Sequence, residues 1–159
     1  MNIFYTHHLP SECARDHCDK HVVKMIIEYA QLLSTAHHVL DGDSARDGIY
    51  RLTHKNHPSA VWVRQSVEHY GFVRDLLFRL GGEYYHRYGK NHKTIREVLP
   101  ALILPPKGMP MDGGWTPPPQ CMPDEYKTQA TEVAYQRYIR NVKGHFCKWT
   151  KRVPPSWFY

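Results

Sequence analysis

The sequence has no C-x-x-C pair. Its four cysteines, Cys13, Cys18, Cys121 and Cys147, are scattered, which argues against a paired-cysteine metal or redox motif. A chain of 159 residues can build its core without disulfide staples, so reduced thiols in a cytoplasmic protein are expected. No window approaches the ~18 uninterrupted apolar residues that a membrane span needs. The opening MNIFYTHHLP also lacks a basic segment followed by an apolar run, so neither insertion nor secretion is expected. With no internal repeat and no low-complexity tract, organisation has to be read from periodicity and helix breakers. Strand-like alternation is confined to the stretch from Asn2 to Thr6, which leaves a mainly α chain.

Acidic residues are scarce: 15 Asp and Glu stand against 21 Lys and Arg, a formal charge of +6, with 12 His in reserve. Of that excess, +4 falls in residues 121–159, where seven Lys and Arg meet Asp124, Glu125 and Glu132. A polyanion is the natural partner for such a surface. The apolar fraction of 42% with 13% aromatics is ordinary for a globular chain and excludes disorder.

Periodicity predicts a single compact domain of about three long helices with long ordered loops and an aromatic, basic tail. The first helix is expected from Ser11, a good N-cap, to Leu40 before Asp41-Gly42-Asp43, with Val22, Ile26, Tyr29, Leu33, Ala36 and Leu40 as its core stripe. Pro58 suits the first turn of a second helix, which carries Trp62, Tyr70, Val73, Leu77, Leu80 and Tyr84 on one face and ends at Gly89. Gly71 and Gly81-Gly82 are its expected weak points, or places where helices pack closely. Residues 99–123 hold eight prolines and read as an ordered surface loop. A third helix is expected from Asp124 to Val142, followed by the basic aromatic tail of residues 144–159.

At about 100° per residue, Cys13, His17, His21, Lys24, Glu28 and Gln31 fall within an arc of about 80° on the first helix. One carboxylate, Glu28, sits there among histidines, a lysine, a cysteine and a glutamine. A solvated face is one reading. A metal site from Cys13, His17 and His21 is another, although Cys13 and His21 stand about 12 Å apart along the axis. In a third, Glu28 faces a basic cleft and stabilises an oxocarbenium-like sugar during cleavage of an N-glycosidic bond.

These residues carry a resemblance. Met1-Asn2-Ile3-Phe4, the pattern Asp19-x-His21 with Glu28 seven residues on, Lys55-Asn56-His57-Pro58, the helix bearing Trp62 and Arg64, and the exit Arg87-Tyr88-Gly89-Lys90 are together similar to the phage and bacterial pyrimidine-dimer DNA glycosylase/AP lyases. The similarity covers about residues 1–95, and the proline-rich stretch has no counterpart in it.

The resemblance implies an all-α repair enzyme, acting as a monomer without a cofactor on double-stranded DNA with a damaged or modified pyrimidine. An amine attacks the sugar C1′ to form a Schiff base, and Glu28 supports the sugar cation and later strand scission. An α-amino group, with an ordinary pKa of about 8, supplies more free base at neutral pH than a lysine near 10.4. In the best-known phage members of that family the amine belongs to a threonine exposed by removal of the initiator methionine. Here Asn2 disfavours that removal by its bulk, so Met1 or Asn2 is the candidate amine. Lys24 is either a substitute amine or a phosphate contact. His21, Gln31, Asn56, His57 and Arg64 are the expected DNA contacts near the centre. Lys90, His92 and Lys93 form one expected phosphate clamp and Lys148, Lys151 and Arg152 another, with Trp149, Trp157 and Tyr159 available to stack on a displaced base. A metal-dependent or base-modifying enzyme on the same scaffold, or a DNA-binding protein without catalysis, are the alternatives.

Overall fold

The expected first helix is two helices. In the computed structural model, which describes residues 1–159, α1 (Pro10–Asp16) stops at an extended pair, His17 and Cys18, before α2 (Asp19–Asp41). Neither residue is a helix breaker; a tertiary partner makes the break. The buried Arg87 guanidinium donates to the carbonyls of Arg15 (3.1 Å) and His17 (2.8 Å) and to the Asp19 carboxylate (3.1 Å), supplying donors for carbonyls at the end of α1. The arc therefore divides: His21, Lys24, Glu28 and Gln31 stay together on α2, while Cys13 and His17 belong to another direction.

The second expected helix is also divided, into α3 (Pro58–Val63) and α4 (Val67–Tyr88). The break lies at Ser66, whose hydroxyl caps α4 by accepting from the His69 N–H (3.1 Å), not at the glycines. Gly71, Gly81 and Gly82 all lie inside α4. Gly81 earns its place by packing, since a Cβ there would stand 2.9 Å from Ile95 of α5 (Lys93–Glu97). Gly89 closes α4 in the left-handed conformation, φ 71°.

The proline-rich stretch begins with the short α6 (Leu99–Leu102) and then straps the helices. Its Lys107 and Gly108 amides donate to the Asp41 carboxylate (3.0 and 2.8 Å), and the Val67 N–H donates to Pro110 O (2.9 Å). The Trp62 indole donates to Thr116 O (3.1 Å), and the neutral His69 ring accepts from the Thr116 N–H (3.0 Å) while donating to Trp62 O (2.7 Å). The third helix starts later than expected, as α7 (Thr131–Tyr138): Asp124–Tyr126 make only a single 3-10 turn, and Gln120 pairs with Thr128 in both directions across it. A π-turn, Ile139–Lys143, continues α7.

One cluster of buried side chains joins these elements, with α4 packed against both α1 and α2. The segment Ile3 to Thr6 is buried within that core with no strand partner, and turns tightly at Phe4, where the Tyr5 N–H donates to Ile3 O (2.8 Å). No helix is long and apolar enough to cross a membrane.

Candidate functional site

The N-terminal segment is held by a directional chain of hydrogen bonds. The Phe4 N–H donates to the Tyr29 hydroxyl (3.1 Å), the hydroxyl donates to His17 Nε2 (2.8 Å), and His17 Nδ1 donates to Cys13 O (2.6 Å). This fixes one His17 tautomer, and burial pushes the ring's pKa down to about 3, with nearby His21 adding to the effect. Phe4 then stacks on His21 (4.4 Å between centroids, 24° between planes).

Three residues earlier, the Met1 α-amino group stands 3.9 Å from Glu28 Oε1, and Lys24 Nζ stands 4.0 Å from Oε2. Glu28 is mostly covered, with its side chain 18% exposed, whereas that of Lys24 is 71% exposed. A cavity of about 390 Å³ opens above this group. Lys20 and Lys143 line it with Lys24, and Phe146 closes one side beneath the Lys20 ammonium, 4.9 Å from the ring centroid. Three lysines and the α-amine thus face one carboxylate, a net charge that draws in an anionic ligand. His57 is near enough that the Met1 amine and Glu28 act on it; burial first, then that amine, hold its ring below the ordinary histidine range.

Met1, Asn2, His21, Lys24 and Glu28, expected to act together, therefore line one cavity. Gln31 is half-buried a turn beyond it. His57 caps α3 by accepting from the Ser59 N–H (3.1 Å), Asn56 is exposed beside it, and Arg64 ties down that loop by donating to Lys55 O (2.6 Å). The two outlying clamps do not line the cavity. Lys90 is exposed past α4, His92 caps α5 by accepting from the Thr94 N–H (3.1 Å), and Lys93 pairs with Glu97 (3.9 Å). Lys148 and Lys151 are exposed, but Arg152 is committed to Glu83 through two bonds (3.1 and 2.7 Å).

Two expectations are overturned. Trp149 is no stacking platform: its ring is buried and its indole donates to Asp16 O (3.0 Å), so it packs the tail onto the core. The alternative metal set of Cys13, His17 and His21 does not assemble, because both His17 nitrogens are engaged and the Cys13 thiol donates to His7 O (2.9 Å). No group of three His, Cys, Asp or Glu converges anywhere.

Sequence reasoning missed Lys20, Lys143 and Phe146. Lys20 lies close to the Glu28 arc by angle and could have been added to it. The other two reach the cavity only through the tertiary path of the π-turn, which no local pattern marks. No family model, curated protein or solved structure matches the chain, so the chemistry of this site rests on its own geometry.

Proposed function

We propose that the protein is a DNA N-glycosylase with AP lyase activity, acting on a damaged or modified pyrimidine in double-stranded DNA. The observation that carries this reading is the Met1 α-amine beside Glu28 in a lysine-rimmed cavity. An amine and a carboxylate in contact are the two groups that imine chemistry at a sugar carbon requires.

In the proposed sequence, the neutral Met1 nitrogen attacks C1′, the N-glycosidic bond breaks with its electron pair, and the base leaves carrying a proton. The C1′–O4′ bond then breaks, O4′ keeping the electron pair and taking a proton from water, and the ring-opened iminium that results is stabilised by the adjacent Glu28 carboxylate. Glu28 then removes a C2′ proton, the C3′–O bond breaks, and the 3′ phosphate departs with its electrons. Water hydrolyses the imine and restores the amine. Lys20, Lys24 and Lys143 hold flanking phosphates, which positions the sugar without reading sequence.

Borohydride trapping on duplex DNA carrying an abasic site or a thymine dimer tests the reading, with the modified residue mapped by mass spectrometry. The expected adduct is on Met1. Glu28→Gln is expected to bind the duplex normally and to lose at least about hundredfold in scission rate, the scale of general acid–base catalysis. An adduct on Lys24 would move the nucleophile onto α2. The absence of both an adduct and base release would refute the glycosylase reading.

A further inference from the structure

Gly82 is the glycine that packing does not explain. Its neighbour Gly81 is required by Ile95, but a Cβ at Gly82 would meet nothing within 4 Å. It is exposed in the middle of a 22-residue helix, where glycine is less favourable than alanine. A helix interior that keeps a glycine facing open space has left that space empty.

The surroundings say for what. Phe78 and Tyr85 lie four residues before and three after Gly82, on the same side of α4 at 3.6 residues per turn. Each is 57% exposed, far from the usual burial of large aromatic side chains. Neither ring has an aromatic neighbour, and Phe78 has only the Arg79 guanidinium, 5.9 Å from its centroid. The two rings start about 10 Å apart along the axis, and stacked centroids sit about 4.5–7 Å apart. One further planar ring fits between them over the bare backbone of Gly82.

The same cleft, of about 530 Å³, is lined by Arg15, Arg79 and Arg152. Its one carboxylate, Glu83, is already neutralised by Arg87 and Arg152, so the cleft is net cationic. We propose that this slot holds an unstacked nucleotide of a single nucleic-acid strand, with the base between Phe78 and Tyr85 over Gly82 and its phosphates on Arg15 and Arg79. Aromatic faces beside a cationic groove are the general means of holding unpaired strands regardless of sequence. The slot shares no lining residue with the amine cavity and does not depend on the glycosylase reading.

The test is fluorescence anisotropy of a short labelled oligothymidylate strand with the full-length protein. Tyr85→Ala and Phe78→Ala are each expected to weaken binding about tenfold or more, the scale of one lost base–aromatic stack. Arg79→Gln should reduce the slope of log affinity against log salt by about 0.7. Gly82→Leu puts a side chain into the slot from a Cβ that meets nothing within 4 Å, so it should lose binding to the same extent while its urea midpoint does not fall. Parent-like binding by both Gly82→Leu and Tyr85→Ala overturns the proposal. Competition by free thymidine monophosphate as strong as by the strand overturns the assignment to a strand. Gly82→Leu should retain borohydride trapping on abasic duplex, which places its lost binding at the slot. A parent that binds the strand but gives neither a trapped adduct nor base release would overturn the glycosylase reading and leave the slot standing.

Discussion

Protonating His17 should cut the N-terminal segment loose. The ring is fully buried and accepts from the Tyr29 hydroxyl at Nε2; a proton there removes the acceptor and leaves a charge in the core. Its folded pKa is about 3 against 6.5 for an ordinary histidine, so the unfolded chain binds the proton first. The stability contributed by the neutral ring is thus complete above pH 6.5 and is lost as pH falls toward 3. The loss is about 1.4 kcal/mol per pH unit, or roughly 2.7 kcal/mol by pH 4.5. His37, also lowered by burial to about 4, adds to the same slope. Urea unfolding at a series of pH values, compared between the parent and His17→Gln, isolates the one residue: the variant's stability should fall less steeply between pH 6.5 and 4.5. Nitrogen chemical shifts of the His17 ring check the cause directly, and should report a neutral ring protonated at Nδ1 down to about pH 4.5. Parallel slopes in the two proteins, or a ring that titrates near 6.5, would refute the argument.

Arg87→Met should cost about 3–5 kcal/mol in urea unfolding, because Glu83, Asp19 and the carbonyls ending α1 all lose a buried donor; a loss below about 1 kcal/mol would mean that water replaces it. Two neighbouring glycines should respond in opposite directions. Gly81→Ala drives a Cβ into Ile95 and should destabilise by about 1–3 kcal/mol, whereas Gly82→Ala should stabilise by up to about 1 kcal/mol, and thermal melting separates them. Tyr29→Phe should leave both the Phe4 N–H and His17 Nε2 unpaired in the core, lowering stability by about 1–3 kcal/mol and speeding amide exchange at Phe4.

What the sequence disclosed and what it hid divide along physical lines. The α2 face was legible because local periodicity alone places His21, Lys24 and Glu28 on one side, whatever the helix packs against. The breaks at His17 and Ser66 were not, for different reasons. Ser66 is an ordinary N-cap whose signal was outweighed by the continuing apolar spacing of Trp62, Tyr70 and Val73. The His17 break has no local cause at all: Arg87, 70 residues away, supplies the donors that make it tolerable. Trp149 misled for a similar reason, since an aromatic in a basic tail reads as a binding residue until Asp16 O is found at its indole nitrogen. The reach of Lys143 and Phe146 into the cavity likewise depends on a π-turn that only tertiary structure defines.

The register of the first residues then decides whether the cavity holds a reactive pair. The Phe4 amide is pinned to Tyr29 on the same helix as Glu28, so the amine position is set by counting back from that anchor. Each residue adds at most about 3.3–3.6 Å of reach. Deleting one residue would withdraw the amine by up to nearly the same distance as the 3.9 Å that now separates it from Glu28. It would also remove the Met1 side chain, which is 8% exposed and packed against the core. Asn2→Ser, by placing a small residue second, permits removal of the initiator methionine during expression and so makes this deletion without touching the anchor. Intact mass gives the extent of removal. The trimmed protein should fold, keep its amide protection at Phe4, and lose borohydride trapping. Trapping at the parental rate, with the adduct on the new first residue, would mean that the segment slides to restore the contact and that the Tyr29 anchor does not set the register.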